Sequence, residues 1–338
     1  MTTPSGSISA QDIKNEFGET GSGSVSLGSY RVSQTCGELN LAIGDGIPQS
    51  GAISYDNMRN KRLNIVVDYY ADNANLNREA NGDATMNAKS RYDTQNERVK
   101  VIGGLRSKPS DTSGHRVRIH VNQNIGGKRG GVNVCALRTG TWNNGTDLHV
   151  DVGGEGAIYG AGGDGGEGGN DLDAGNRGMD GASALGIDFN AQVNVASGGL
   201  IRCGFGGGGG GGCGRQEDKN ADRRACGGGG GGGQGYPGGA GGDRGRGGQT
   251  NGHDGTAGDI SEAGEGGGGG NASNQALGAS GGEGGGHGEA ADSGGGAQHG
   301  AGAGANQGSA IRKASGSISF SLSNNGSIVG ATDQTGVS

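Results

Sequence analysis

Glycine tracts constrain the fold of this chain more than any other feature of its sequence. Glycine occupies 86 of 338 positions, more than three times the ~7% that is usual in soluble proteins. Between residues 206 and 310 the large apolar side chains are limited to Tyr236, Ile260 and Leu277, so a hydrophobic core cannot form there. Because ordering each residue costs roughly 1–2 kcal/mol of backbone entropy, the remaining source of stability is hydrogen bonding between closely packed backbones.

The tracts therefore predict a polyglycine II-like bundle, in which three-residue-per-turn rods lie side by side with polar loops at their ends. A flexible glycine linker is the alternative that composition alone allows. A shared pattern frames the array, with an apolar residue, a glycine four positions on and an isoleucine six positions on, and we interpret each copy as a β-hairpin. The copies start at Val152, Val195 and Leu322.

The rest of the chain predicts two further parts. ISAQDIKNEFG predicts a short helix over about 10–17, with Ser9 as its N-cap. Several segments between 61 and 152 are rich in β-branched residues, and in HRVRIHVN the residues Val117, Ile119 and Val121 alternate with Arg116, Arg118 and His120, which indicates one buried and one solvent-facing side. We predict a mainly β protein with an N-terminal module (1–60), an antiparallel β-sandwich (61–152) and a hairpin-framed glycine-rich domain (153–338).

Charge and cysteine content bear on partners and location. The net charge is −7 with a pI near 5.4, and the basic residues are scattered, which does not favour nucleic-acid binding. No run approaches the ~20 apolar residues of a membrane span, and the first residues lack the features of a signal peptide. Five cysteines, an odd number, indicate reduced thiols and synthesis in a cytoplasm.

Known catalytic and metal-binding motifs do not match this chain, so we predict neither an enzyme nor a cofactor or metal site. The spacing of Cys203, Cys213 and Cys226 is not that of a zinc knuckle. GNDLD is similar to part of a calcium-binding β-roll repeat, but its apolar position does not recur. We therefore interpret Asp171 and Asp173 as part of a solvated acidic loop.

The segment RQEDKNADRRA, at 215–225, is the most densely charged loop of the glycine array. A loop on a stiff scaffold loses less entropy when it binds a partner, which favours recognition. The alternative, to which we give equal weight, is that this loop is a solvated cap that keeps the rods soluble. The receptor-binding candidates are Arg215, Glu217, Asp218, Lys219, Asn220, Asp222, Arg223 and Arg224. Further polar segments lie at 250–254, 259–265, 271–280 and 289–293.

Several segments resemble those of tailed-bacteriophage virion proteins. SGSISAQDIKNEFG, SVSLGSYR and GDGIPQSGAISYDNMRN resemble a short N-terminal module of phage structural proteins, and the segments that lead into the glycine array resemble tail-fibre or adhesin-like proteins of cyanophages and related marine phages. The resemblance implies a module that attaches to tail or baseplate proteins and distal loops that recognise the host. The attachment candidates are Ile8, Ile13, Phe17, Leu27 and Tyr30.

We therefore predict a tail-fibre or tail-tip adhesin, made in the host cytoplasm and carried in the virion tail, that binds a host cell-surface receptor or polysaccharide. A homotrimer would let short strands and rods bury surfaces that one chain cannot. Two alternatives remain. A structural adaptor or capping protein would have both ends buried by other virion proteins, and a depolymerase would need converging carboxylates on a long repetitive β-helix.

Overall fold

The computed structural model describes residues 3–17, 24, 26–27, 51–60, 64–69, 78–79, 97–102, 112–218, 221–272 and 276–337. The described chain is mainly β, as predicted, with one α-helix, α1 (Ala10–Phe17). Ser9 caps this helix as the sequence predicts, because the Asp12 amide donates to Ser9 Oγ at 3.2 Å and the Ser9 amide donates to Asp12 Oδ2 at 2.8 Å. In this part of the chain, no helix has the length and apolar character needed to cross a bilayer.

The described strands are short and lie between residues 64 and 335. In chain order they are β1 (Asn64–Tyr69), β2 (Arg78–Glu79), β3 (Glu97–Ile102), β4 (Arg116–Val121), β5 (Asn124–Gly126), β6 (Cys135–Arg138), β7 (Asp147–Val152), β8 (Ala157–Tyr159), β9 (Ser183–Ile187), β10 (Ala191–Val195), β11 (Leu200–Arg202), β12 (Gly214–Asp218), β13 (Ala221–Ala225), β14 (Asn271–Ala272), β15 (Ala276–Leu277), β16 (Ile311–Lys313), β17 (Phe320–Asn324), β18 (Ser327–Val329) and β19 (Gln334–Thr335).

Three of the sheets form the sides of a parallel β-helix. Sheet A has the order β17-β10-β7-β4-β1-β3, sheet B has β18-β11-β8-β5, and sheet C has β19-β16-β9-β6-β2. From β4 onward the chain visits A, B and C in the same order on each turn, as β4-β5-β6, β7-β8-β9, β10-β11-β16 and β17-β18-β19. Equivalent strands of successive turns pair in parallel.

The predicted antiparallel sandwich and the predicted hairpins are therefore wrong. Within the three sheets, the antiparallel pair among the described strands is β1 with β3. The pattern that starts at Val152, Val195 and Leu322 marks the corner where the chain leaves sheet A and enters sheet B, so its two strands never pair with each other. Glycine is required in such a corner because a Cβ on Gly156 would lie 2.0 Å from the Val121 carbonyl oxygen of the turn below.

The core of the β-helix consists of apolar side chains stacked on successive turns. One stack is Ile125, Ile158 and Ile201, which are aligned by the strand registers and have 0% exposure. Two similar stacks are Ile119, Val150 and Val193 on sheet A, and Leu137, Leu185 and Ile311 on sheet C. Burying each such side chain contributes about 1.5–3 kcal/mol.

The outer face of sheet A is less exposed than the alternation in HRVRIHVN predicts. Arg116 and Arg118 do point away from the core, and each forms an ion pair with an aspartate of the next turn, at 2.9 Å to Asp147 and 3.1 Å to Asp151. His120, however, is 2% exposed, so its predicted place on the solvent face is wrong. Val117, Ile119 and Val121 are buried as predicted.

The glycine-rich segments leave the β-helix between sheets B and C. Residues 160–182 connect β8 to β9, and residues 203–310 connect β11 to β16. These connections contain ten extended rods, at 160–170, 173–182, 203–213, 226–236, 237–246, 250–259, 263–270, 278–286, 290–297 and 299–308. The predicted boundary at 152/153 falls between β7 and β8, and the three-part domain division stays a prediction.

Backbone hydrogen bonds join neighbouring rods at every third residue. The amides of Gly162, Gly165 and Gly168, for example, donate to the carbonyls of residues 237, 240 and 243 at 2.8–2.9 Å. A flexible linker would not form such a regular network of hydrogen bonds between its segments. The array therefore obtains its order from backbone bonding, which is the only source that its composition leaves.

Two rods lie at the centre of the array, and each contains a run of seven glycines. The rod at 203–213 is hydrogen bonded to six others, and so is the rod at 226–236. A Cβ on Gly209 or Gly230 would lie 2.0 or 2.1 Å from a carbonyl oxygen of a neighbouring rod. The unbroken runs 206–212 and 227–233 are explained by these neighbours, since every side of the rod is occupied by backbone. Peripheral rods carry a larger residue at every third position, such as the exposed Glu167.

Candidate functional site

The rods alternate in direction, which gives the array two different ends. Rod 173–182 runs antiparallel to 160–170, because Asn176, Met179 and Ala182 donate to the carbonyls of residues 167, 164 and 161. The same pattern relates 203–213 to 226–236 and continues to the last rod. The first and last rods join the β-helix, so alternate turns between rods lie together at the end remote from it.

We call that remote end the tip. It comprises the described residues of the turns at 170–173, 214–225, 246–250, 271–277 and 297–299. The strands β12 and β13 form the longest of these turns, an antiparallel hairpin in which Gly214 pairs with Ala225. The strands β14 and β15 form a second short hairpin beside it. The shared packing surface of the two hairpins contains the buried side chains of Ala225, Ala272 and Ala276.

Polar contacts connect the turns of the tip to one another. Arg224 Nη1 lies 2.5 Å from Asp171 Oδ1, and the two side chains are 30% and 45% exposed. The Arg246 amide donates to Asn170 Oδ1 at 2.7 Å, and the Arg215 amide donates to Gln298 Oε1 at 3.0 Å. Residues distant in sequence therefore form one surface, held by contacts that keep arginine side chains partly open to solvent.

The structure brings part of the predicted receptor loop into this surface. Arg215, Glu217 and Asp218 lie on β12, whereas Asp222, Arg223 and Arg224 lie on β13. The side chains of Arg215, Arg223 and Arg224 are half-buried. Lys219 and Asn220 lie outside the described residues, and the receptor-binding role of the whole set stays a prediction.

Some tip residues were not among the predicted site residues. Asp171, interpreted from the sequence as part of a solvated loop, forms the ion pair with Arg224. Leu277 is 59% exposed, and Gln298 is bound to the Arg215 amide. The order of the loops in the sequence could have predicted that these residues lie together, because antiparallel rods place every second loop at the same end. By that rule 271–280 belongs to the tip, while 259–265 and 289–293 lie near the β-helix.

The N-terminal attachment candidates contact the core of the β-helix where they are described. Ile13 has 0% exposure, and Ile8 and Leu27 are half-buried against the same core cluster. Phe17 is the last residue of α1, and Tyr30 lies outside the described residues. A partner would have to contact other residues of this segment than Ile13, and the attachment role of the set stays a prediction.

A cleft lies at the opposite end of the array from the tip, between the β-helix and the turns nearest to it. This cleft of about 540 Å³ is lined by Arg202, Gln234, His287 and several glycine and serine residues. The Arg202 guanidinium lies 4.8 Å from the centre of the Tyr159 ring, and burial lowers the pKa of Arg202. The residues that line this cleft include no carboxylate, and in the described chain no three potential metal ligands come together.

Residues 64–333 match the model of the family described as phage tail fibre adhesin Gp38. Among solved structures, the gp37-gp38 adhesin tip complex of the bacteriophage S16 long tail fiber is similar at 20% identity and a TM-score of 0.31, with 65% of this chain and 72% of that chain covered. No curated protein matches.

Proposed function

We propose, from the premise that this chain belongs to the phage tail fibre adhesin Gp38 family, that the tip is the surface that touches the host cell. The protein is a tail fibre adhesin and a component of the virion tail. The proposal goes further and assigns one surface to host binding and another to attachment to the fibre. It rests on one observation, namely that five polar turns of the glycine array lie at the end remote from the β-helix.

The glycine array suits the role of a stiff support for these turns. The bonding of every third residue is the repeat expected of polyglycine II, and we propose that conformation for the rods. A rod of about ten residues would then hold the tip about 30 Å from the β-helix at a rise of ~3.1 Å per residue. A support of that stiffness lowers the entropy cost of ordering the contact turns on binding.

The chemistry of the tip suits a polar host ligand such as a surface polysaccharide or a receptor loop. Partly exposed arginines at 215, 223 and 224 can donate hydrogen bonds to sugar hydroxyls or to acidic groups. The exposed Leu277 adds an apolar contact beside them. Several such weak contacts, repeated over many adhesins on one virion, would raise avidity by ~10²–10⁴.

The β-helix side is the proposed attachment side. Leu322 continues the buried stack of Val150 and Val193 on the last turn, yet it is 40% exposed. In the described chain the strands of this last turn have no further turn above them in sheets A and B. A tail protein would bind there by covering this apolar end and by contacting the N-terminal module.

The predicted homotrimer remains a proposal. Burial of the core and of the central rods does not require it, because one chain already buries both.

We further propose that the protein binds without catalysis. A depolymerase would need converging carboxylates on a long repetitive β-helix, and the β-helix of the described chain is a short one. The stronger objection is chemical. The large cleft beside it offers Arg202 and His287 but no carboxylate, whereas glycosidic cleavage normally uses a pair of carboxyl groups.

The experiment is competition for phage adsorption by the purified full chain. The tip variant carries Arg224→Ala and Leu277→Ala, and the control carries Glu262→Ala and Glu289→Ala, two exposed residues of turns near the β-helix. We expect the wild type and the control to bind host cells and slow adsorption, and the tip variant to lose at least tenfold in competing strength. Equal competition by tip variant and control would refute the placement of the host-binding surface. No binding by folded wild type to any permissive host would favour the structural adaptor.

For attachment, Leu322→Asp would put a charge on the open apolar end. We expect this variant to be missing from assembled virions while the purified chain still binds cells. Normal incorporation would contradict the proposed attachment surface.

A further inference from the structure

Two cysteines flank the hairpin that dominates the tip. Cys213 directly precedes β12 and Cys226 directly follows β13. The last pair of the hairpin ladder is Gly214 with Ala225, so one further step of the same register places Cys213 opposite Cys226. Both residues have 0% exposure.

The backbone bonds at this step favour a close approach of the two side chains. The Cys226 amide donates to the Thr250 carbonyl at 3.0 Å, its carbonyl accepts from Gly270 at 2.8 Å, and the Cys213 carbonyl accepts from His299 at 3.0 Å. The two cysteines therefore do not exchange backbone bonds with each other. Opposite residues of that kind in an antiparallel pair have Cα atoms ~4.5 Å apart, and disulfides span Cα separations of roughly 4.4–6.8 Å.

The thiol of Cys213 interacts with that of Cys226, and both thiols are buried. Cys213 Sγ donates to the Gly169 carbonyl at 2.8 Å, and Cys226 Sγ accepts from the Gly248 amide at 3.2 Å. Burial, together with the contact of Cys226, raises the pKa of Cys213. Such a thiol reacts slowly at neutral pH, because the thiolate is the reactive form.

We propose that Cys213 and Cys226 are a disulfide site, reduced while the chain is made in a cytoplasm and oxidised once the virion is outside the cell. The bond would close the base of the β12–β13 hairpin. The reaction requires a low-molecular-weight disulfide as oxidant. One cysteine thiolate attacks a sulfur of oxidised glutathione and releases one glutathione thiolate. The second cysteine thiolate then attacks the first cysteine sulfur and releases the second. The two protons lost by the cysteines end on the two glutathione thiols.

The consequence for recognition rests on the proposed function of the tip. A closed base would fix the relative position of Arg215 and Arg224, which lie opposite each other in the ladder, and would hold the turn even if the hairpin were cut by a protease. The cross-link is a property of the chain, so it can be tested apart from host binding.

The test is peptide mass analysis of the full chain after incubation with excess oxidised glutathione at pH 9, followed by alkylation and trypsin. We expect peptide 203–215 to be joined to peptide 225–244 with the loss of two hydrogens, and to separate after reduction. Because 203–215 also contains Cys203, the Cys203→Ala variant is the matched control and should keep the linked pair. Cys213→Ala and Cys226→Ala should each abolish it.

The outcomes separate the proposal from the function of the tip. Two free, alkylated cysteines in the oxidised wild type, or a linked pair that persists in Cys213→Ala, would overturn the disulfide site whether or not the variants fold. A linked pair, together with equal competition for phage adsorption by the oxidised and reduced chains, would keep the site and refute its role in recognition. If the tip variant competes less strongly than wild type but no linked pair forms, the host-binding surface stands and the disulfide is refuted.

Discussion

Gly209 tests the claim that close backbone contact holds the glycine array together. Gly209 lies in the middle of the central rod 203–213, and its amide donates to the Asp292 carbonyl at 2.9 Å. A Cβ at this position would lie 2.0 Å from the Gly302 oxygen, so the rod at 299–308 would have to move by more than about 1 Å.

That displacement sets the expected loss of stability for Gly209→Ala. It would break bonds that join the two rods, such as those from Gly302 to the Gly210 carbonyl at 2.8 Å and from Ala305 to the Gly207 carbonyl at 3.0 Å. Each buried donor left without a partner costs about 1–3 kcal/mol, so the Gly302 and Ala305 amides alone give about 2–6 kcal/mol. This is a large share of the ~5–15 kcal/mol by which folded domains are stable.

The assay is thermal unfolding of the full chain, with Gly296→Ala as the matched control. Gly296 lies in the peripheral rod 290–297 and has nothing within 4 Å of a built Cβ. Gly→Ala at a compatible site adds about 0.4–1 kcal/mol, so the control should melt at or slightly above the wild-type Tm. Gly209→Ala should melt about 5–20 °C lower, at ~2–4 °C per kcal/mol. A Gly209→Ala Tm within about 2 °C of wild type would refute the reasoning.

Three further outcomes follow from the β-helix and the tip. Burial lowers the pKa of His149, so the unfolded chain binds the proton more readily; the Tm should fall as pH drops through ~6.5, and His149→Gln should flatten that dependence in a series of melts. Ile201→Ala should lower stability by about 2–5 kcal/mol in urea titrations, whereas Ile328→Ala, the same residue type one turn on and only half-buried, should cost less than half as much. Asp171→Ala removes a partly exposed ion pair with Arg224 and should change stability by less than about 1 kcal/mol, so a larger loss would show that the pair holds the tip together.

The sequence predicts the local elements better than their partners. The helix at Ala10–Phe17 with its Ser9 cap and the β character of HRVRIHVN follow from residues close together in the chain. The repeat that starts at Val152 and Val195 was also visible. Its interpretation as a hairpin failed because a glycine between two short strands suits a β-helix corner equally well, and the choice depends on a partner one turn away.

That partner can be very distant in sequence. Val193 pairs with Val150 on one side and with Leu322 on the other. Eight of the ten glycine rods lie between Val193 and Leu322 in the sequence. No periodicity in a short window contains a contact of that range. The same is true of the tip, where the charge density of 215–225 marks one loop, whereas Asp171 and Gln298 join it only because the rods return them to the same end.

The direction of the rods explains how a glycine array can interrupt a β-helix without breaking it. The first excursion, 160–182, contains two rods, and the second, 203–310, contains eight. Both numbers are even, so each excursion returns the chain to the end it left. This allows β9 to pair with β6 and β16 to pair with β9 as if nothing had been inserted. An odd number of rods would leave the chain at the tip and the next turn without its strand in sheet C. Variation among related chains should therefore add or remove rods in pairs, with each added pair contributing one more turn to the tip and no change to the registers of the β-helix.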